Sequence, residues 1–275
     1  MKKLFVILTV ILFLSNCNTV NSDLASLMLA GKIKTLVTYA YTVLEDFNTV
    51  NKSVLLGFET SNFDKSGNLI DHTVSDALGV MASRTDYKYD GDGRKTEEVS
   101  YAFTGDISGT VTFTYNADGY LDEEKNFSAS GDLLSKNKYS YDSDGNLLEK
   151  TLLSPNDKLL SYLMYKYDKK GNMTQYETFN AEGTVISKRM FVYDKKGQKT
   201  EETSYNNEGK VDAKFVYTYD NQGNILTQHN YGFMGTLETA IENEYTYDKK
   251  GNWTVNIMRT NSKPTAYLER NLSYY

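Results

Sequence analysis

The sequence predicts an all-β fold, an antiparallel meander of about nine hairpin repeats in one twisted or rolled sheet, and three observations predict it. Tyr-Asp-x-x-Gly or a close variant recurs with a period of 26 residues, glycine concentrates at two phases of that period, and apolar and polar residues alternate between them. Composition agrees, because Tyr contributes 23 residues against 12 Phe and one Trp, and Tyr favours half-buried strand faces. Only two Pro occur against 19 Gly, which suits many tight reversals and few stiff linkers.

The N-terminus has its own logic. Lys2 and Lys3 precede the apolar run Leu4 to Leu14 and then Ser15-Asn16-Cys17, the layout of an export signal over residues 1–16. A run of about a dozen residues is too short to cross about 30 Å of hydrocarbon as a helix. Leu14-Ser15-Asn16-Cys17 resembles the lipobox of bacterial lipoproteins, with Asn16 where a smaller residue is usual. That resemblance implies lipidation of Cys17 and attachment to a membrane of the bacterial cell envelope through the N-terminal lipid. The alternative is a plain secretory signal with an incidental Cys. Cys17 is the only cysteine, so the chain has no disulfide framework.

Residues 17–31 read as a tether and a short helix. Ser22 or Asp23 would cap it, Leu24, Leu27 and Met28 would line it, and Gly31 would end it over the first sheet edge. Without residues 1–16 the chain has 28 basic against 36 acidic side chains, or minus 8, which makes nucleic acid an unsuitable partner.

Residues 32–275 form the repeat domain. Aligned frames start at Phe63, Tyr89, Tyr115, Tyr141, Tyr167, Tyr193 and Tyr219, then at Tyr247 after a spacing of 28. Four positions on stand Gly67, Gly93, Gly119, Gly145, Gly171, Gly197, Gly223 and Gly251, the residue a type I turn needs to close in the left-handed region. Sixteen positions on, Gly79, Gly105, Gly131, Gly183, Gly209 and Gly235 mark the second reversal, with Asp157 and Lys263 in the other two frames and Pro155 and Pro264 beside them. Each interval between turns is one strand long. A divergent first repeat is expected upstream, from Leu36 to Phe47 and Val54 to Phe63 around a turn at Asn51-Lys52.

Alternation assigns faces. The pairs Tyr87/Tyr89, Phe113/Tyr115, Tyr139/Tyr141, Tyr165/Tyr167, Phe191/Tyr193, Tyr217/Tyr219 and Tyr245/Tyr247 put two rings on one side. On returning strands, Leu69, Leu121, Leu147, Met173, Ile225 and Trp253 stand at plus 6, with Lys95 and Lys199 as exceptions, and Tyr101, Phe127, Leu153, Phe179, Tyr205 and Tyr231 at plus 12. Glu97, Glu123, Glu149 and Glu201 at plus 8 share that parity, so regular alternation would force them to snorkel, line a channel or face a groove. The far edge of the sheet is expected near Asn271 to Tyr275.

Tyr-x-Tyr-Asp-x-x-Gly-Asn, as at Tyr165 to Asn172, Tyr217 to Asn224 and Tyr245 to Asn252, resembles the YD repeat of Rhs-type proteins over residues 32–275. The resemblance implies a β-hairpin array with an extracytoplasmic, non-catalytic role, as in small YD-repeat lipoproteins. The usual period is shorter than 26, and neither the signature that ends the large shells nor a C-terminal cargo domain is present.

No catalytic residue and no cofactor emerge. His72 and His229 lie far apart and outside ligand spacing, and there is no Ser/His/Asp set or phosphate loop. Asp90-Gly91-Asp92-Gly93 and Asp142-Ser143-Asp144-Gly145 superficially match calcium loops, but the same loop is Asp-Lys-Lys-Gly at Asp168, Asp194 and Asp248, so turn chemistry explains them and no metal is expected. The stripe Tyr89, Tyr115, Tyr141, Tyr167, Tyr193, Tyr219 and Tyr247 is the candidate binding face for glycan or protein, or else the core of a rolled sheet. The leading function is therefore a non-catalytic envelope lipoprotein presenting a repetitive sheet. Alternatives are an outer-membrane β-barrel, a hydrolase using carboxylates such as Glu97 and Glu123, or an Rhs-like shell fragment.

Overall fold

The structure is a computed structural model that describes residues 23–47 and 49–275. The expected export signal and Cys17 lie outside the described residues. One helical turn, α1 (Asp23–Ser26), precedes eighteen strands: β1 (Ile33–Asp46), β2 (Thr49–Phe63), β3 (Leu69–Asp76), β4 (Met81–Tyr89), β5 (Lys95–Ala102), β6 (Ile107–Tyr115), β7 (Leu121–Ser128), β8 (Leu133–Tyr141), β9 (Leu147–Leu153), β10 (Leu159–Tyr167), β11 (Met173–Asn180), β12 (Val185–Tyr193), β13 (Lys199–Tyr205), β14 (Val211–Tyr219), β15 (Ile225–Gly232), β16 (Leu237–Tyr247), β17 (Trp253–Thr260) and β18 (Lys263–Tyr274).

Each strand pairs antiparallel with the next, and β1 pairs with β18 from Ile33↔Tyr274 to Tyr41↔Tyr267, so the meander closes into a barrel. Two edges were expected and closure leaves none: Leu36↔Leu272 and Thr38↔Arg270 pair the first strand with the supposed far edge. The expected helix to Gly31 is replaced by the single turn α1, and the segment after it runs along one rim. There Ala30 exchanges hydrogen bonds of 2.7 and 2.9 Å with the Asn252 side chain.

The hairpin chemistry forms as read. In the loop at Asp168, Gly171 N–H donates to Asp168 O at 3.1 Å, Asp168 N–H donates to Asn172 O at 2.9 Å, and Gly171 has φ +81°. The Asp168 carboxylate accepts from Lys170 N–H, Asn172 N–H and Asn172 Nδ2 at 2.8 to 2.9 Å, which fixes the Asp-x-x-Gly-Asn pattern. All eight first-phase glycines have positive φ, and Asp157 adopts it at 61° where the second phase lacks glycine. Two turn placements differ from expectation. The β1–β2 reversal follows Asp46, with Phe47 at positive φ, leaving Asn51 and Lys52 inside β2, and the last reversal is made by Asn261 and Ser262, which puts Lys263 and Pro264 inside β18. Pro264 is tolerated because it sits at a register irregularity opposite Arg259.

A second difference decides the faces. Every first-phase hairpin from β2–β3 to β16–β17 has a register shift after its turn, as where Tyr89 pairs with Lys95 but Lys88 with Glu97. One extra residue opposes none, so the side-chain phase inverts within the returning strand. The Tyr pair and plus 6 face inward, whereas plus 8 and plus 12 face outward. The Glu row thus stands on the outer wall, and Tyr101, Phe127 and Tyr205 do not join the inner rings.

Packed hydrophobic core is confined to one rim. Leu24, Leu29, Ile33, Leu36, Phe63 and Leu69 are buried there, with Leu27, Tyr87, Leu272 and Tyr274 against them. Elsewhere the inward rings are half-buried except for the buried Phe191, which fits an interior reached by water, as this strand number allows.

Candidate functional site: the inner wall

The inner wall is built in layers set by the repeat. Nearest the first-turn rim, the Tyr hydroxyl of one frame donates to the plus 6 carbonyl of the frame before: Tyr89 to Leu69 O at 2.8 Å, Tyr115 to Lys95 O at 2.7 Å, Tyr141 to Leu121 O at 2.9 Å and Tyr193 to Met173 O at 2.7 Å. Those carbonyls lie past the last ladder pair of the neighbouring strand, for example Glu97↔Thr112 for Lys95, so the phenol supplies a donor that the ladder lacks. The two extra residues before Tyr247 shift this role. Tyr245 donates to Ile225 O at 3.1 Å, and Tyr247 reaches the Asp220 carboxylate. Burial pushes the phenols up, Tyr165 and Tyr219 to about 12, so they stay protonated donors. The Tyr stripe proposed as a binding face is accordingly part of the wall's own bonding.

The next layers are polar. Asn137 Nδ2 and Tyr139 Oη donate to Glu124 at 2.8 Å each, and Lys95 Nζ sits 2.9 Å from Glu98 and 4.6 Å from the Tyr87 ring centroid. Glu202, only 6% exposed, pairs with Lys199 at 2.6 Å and with Arg189. Each of these charges has its partner inside the wall.

One sector, from β16 across the β18–β1 seam to β3, is different. Arg270 lies over the Trp253 ring at 3.5 Å, and its Nε is shut off from solvent without a hydrogen-bond partner. Burial lowers its guanidinium to about 9, against the opposing fields of Tyr245 and Glu59. Thr38 separates Arg270 from Glu59, whose carboxyl burial raises. Asn256 donates from Nδ2 to Asn243 Oδ1 at 3.2 Å, while its Oδ1 is buried and unbonded. Beside them His72 Nδ1 is 3.0 Å from Ser61 Oγ, and burial lowers the imidazole. Sequence reasoning set His72 aside and did not single out Arg270 or Asn256. The repeat offered no signal for them, since plus 9 varies from frame to frame, with His72, Glu98, Glu124, Lys150, Tyr176, Glu202 and Gln228 in the frames before Asn256.

Other sequence candidates fall outside this wall. Glu97 and Glu123 face outward, paired with Lys88 and Lys125 at 2.5 Å each, and β6 separates their strands. His229 faces outward on β15. The Asp90 carboxylate is taken up by Asp92 N–H, Arg94 N–H and the Arg94 guanidinium at 2.8 to 3.0 Å.

The outer wall is the counterpart. Its two rows nearest the first-turn rim carry Lys88, Lys138, Lys166, Glu97, Glu123 and Glu201 together with the exposed Met164, Met190 and Val192, and Lys214 pairs with Glu201 at 2.8 Å. A third row, toward the opposite rim, holds Tyr101, Phe127, Tyr162, Phe179, Tyr205 and Tyr231, with Tyr162 and Phe179 stacked at 4.7 Å.

A family described as "Uncharacterised protein" matches residues 129–245. Among curated proteins no match is found. Solved structures that resemble the chain include a porin-like protein from Bacteroides uniformis, at 11% identity over 89% of this chain and 99% of that one with a TM-score of 0.46. A porin-like protein from Bacteroides vulgatus matches at 15% identity over 88% and 98%, with a TM-score of 0.37. A TcdB2-TccC3 structure matches at 15% identity over 86% of this chain and 16% of that one, also with a TM-score of 0.37.

Proposed function

We propose that the protein is a non-catalytic, lipid-anchored barrel of the bacterial cell envelope that takes a glycan or protein segment against its inner wall. The observation that carries this reading is the contrast between the walls. The inner one carries rings, amides and hydroxyls among mutually paired charges, and the outer one carries exposed Lys paired with Glu beside exposed Met164, Met190 and Val192. Tyr and Trp edges with neighbouring amides suit polar ligands that stack and hydrogen-bond. Envelope attachment rests on Leu14-Ser15-Asn16-Cys17, and the repeat pattern supports kinship with YD-repeat lipoproteins.

Binding is tested by thermal-shift screening of the purified protein against oligosaccharides and peptides; absence of any stabilising ligand counts against it. Labelled palmitate should enter the chain and be lost in Cys17→Ala, and incorporation that persists in that variant refutes the anchor.

A second reading, an outer-membrane β-barrel, is favoured by ring closure and by the aromatic outer row. Two rows rich in Lys and Glu oppose it, because a lipid-facing cation costs about 2–4 kcal/mol at the midplane of such a barrel. Alkaline carbonate should release Cys17→Ala from membranes; retention in the pellet would favour the spanning barrel.

A further inference from the structure

We propose that the sector of the inner wall between Trp253 and Glu59 binds a carboxylate-bearing sugar, with Arg270 receiving the carboxylate and Asn256 a ring hydroxyl. The inference rests on the inner wall being the binding surface, and it names the ligand class. Its basis is a pair of buried, unbonded atoms on neighbouring strands: the Arg270 Nε, a donor, and the Asn256 Oδ1, an acceptor. Buried polar atoms are almost always satisfied, and two unmet ones of opposite type in one sector point to a ligand that carries both an acceptor and a donor.

Charge points the same way. Lys95, Lys199 and Arg189 are matched on the wall by Glu98 or Glu202, whereas Arg270 makes no ion pair with any described residue and is held against the Trp253 face instead. A guanidinium offers a carboxylate two parallel donors, which an indole face does not use. On the same face stand Thr38, Ser61 and Asn243, neutral side chains that serve as donor or acceptor to hydroxyls, and the buried Leu268 opposite Asn256, which suits the apolar face of a sugar ring. For the carboxylate to accept from Nε the guanidinium has to shift on the indole, so occupancy changes the environment of the only tryptophan in the chain.

The test titrates purified full-length protein with trigalacturonate while following tryptophan fluorescence, with maltotriose as the neutral control. Trigalacturonate should give a saturable change, and maltotriose should bind at least about tenfold more weakly. Arg270→Lys should weaken trigalacturonate by about tenfold or more, since lysine cannot reproduce the fork. Asn256→Asp, which sets a carboxylate beside the bound one, should do the same, with far-UV circular dichroism of both variants unchanged. If Arg270→Lys does not fold, Asn256→Asp carries the test alone. Equal binding of the two sugars, or wild-type affinity in the folded variants, overturns the proposal. If trigalacturonate leaves the fluorescence unchanged while other glycans or peptides raise the melting temperature, this sector is not the site although the inner wall still binds. If no soluble ligand raises it, the wider reading falls as well.

Discussion

Replacing Tyr193 by Phe removes one oxygen atom and should cost the barrel about 1–2 kcal/mol. The hydroxyl donates to Met173 O at 2.7 Å, and that carbonyl lies past Gln175↔Met190, the last ladder pair between β11 and β12. Losing a typical hydrogen bond costs about 0.5–1.5 kcal/mol, and a stranded buried carbonyl about 1–3 kcal/mol. Tyr193 is half-buried beside a wet interior, where water recovers part of the loss, so the lower half of the latter range applies. Tyr165, two positions before the frame start in its own repeat, is the control. Phe113 and Phe191 already occupy the equivalent place in other frames, so Tyr165→Phe should cost under about 0.5 kcal/mol. Tyr115→Phe, on the distant strand β6, should add to Tyr193→Phe within about 0.5 kcal/mol. Urea unfolding followed by far-UV circular dichroism measures the wild type, the three single variants and the double variant. The reasoning fails if Tyr193→Phe is neutral, or if Tyr165→Phe costs as much.

Gly171→Ala meets space, its nearest neighbour being Asn146 Oδ1 at 3.8 Å, but it holds alanine at φ +81° and should cost about 1–2 kcal/mol in the same unfolding assay. Phe63→Ala opens the only packed core among the described residues and should cost about 3–5 kcal/mol, seen as a lower urea midpoint. Hydrogen bonds from Asn146 and Asn172, with backbone N–H groups, hold Asp142 and Asp168 below the usual carboxylate range. A depressed carboxylate contributes stability that is complete above its unfolded value of about 3.9 and is lost as pH falls through the folded value. The melting temperature should therefore hold above about pH 5 and drop below about pH 4, and Asp168→Asn should flatten that drop.

Hairpins and their count were legible because each turn is local chemistry. Asp, two loop residues, Gly and Asn satisfy one another within five positions, and the period repeats them. Closure was not legible, since Leu36 and Leu272 carry no mark of meeting 236 residues apart and an open sheet satisfies the same alternation. Nor was the inside of the wall, because strict alternation assigns Glu97 and Tyr101 to the face of Tyr87 and Tyr89. The residue that breaks alternation is Thr96, which has no special identity; the turn geometry puts it there. Arg270 escaped notice because its frame is incomplete, so the repeat offered no column in which to see it as the exception.

That unremarkable extra residue explains why one 26-residue pattern yields two such different walls. With unbroken alternation, the frame-start rings, the plus 8 carboxylates and the plus 12 rings would share a face, burying Glu97, Glu123 and Glu201 among phenols. The inversion after each turn separates them: rings and carbonyl-seeking hydroxyls go in, and carboxylates go out to Lys88, Lys125 and Lys214. It also adds right-handed twist and bend to eight hairpins in the same sense, the means by which a flat meander is made to curl. The extra residue thus serves both closure and wall chemistry, and a deletion of Thr96 separates the two: Glu97 would follow Lys95 in regular alternation and stay opposite Lys88 on the outer wall, while the β4–β5 hairpin loses its bulge and straightens. The expected result is a loss of stability larger than the roughly 0.5 kcal/mol or less of Glu97→Ala, whose exposed ion pair is worth little. A Thr96 deletion no more harmful than Glu97→Ala in urea unfolding would show that the bulge's bend is incidental to the barrel.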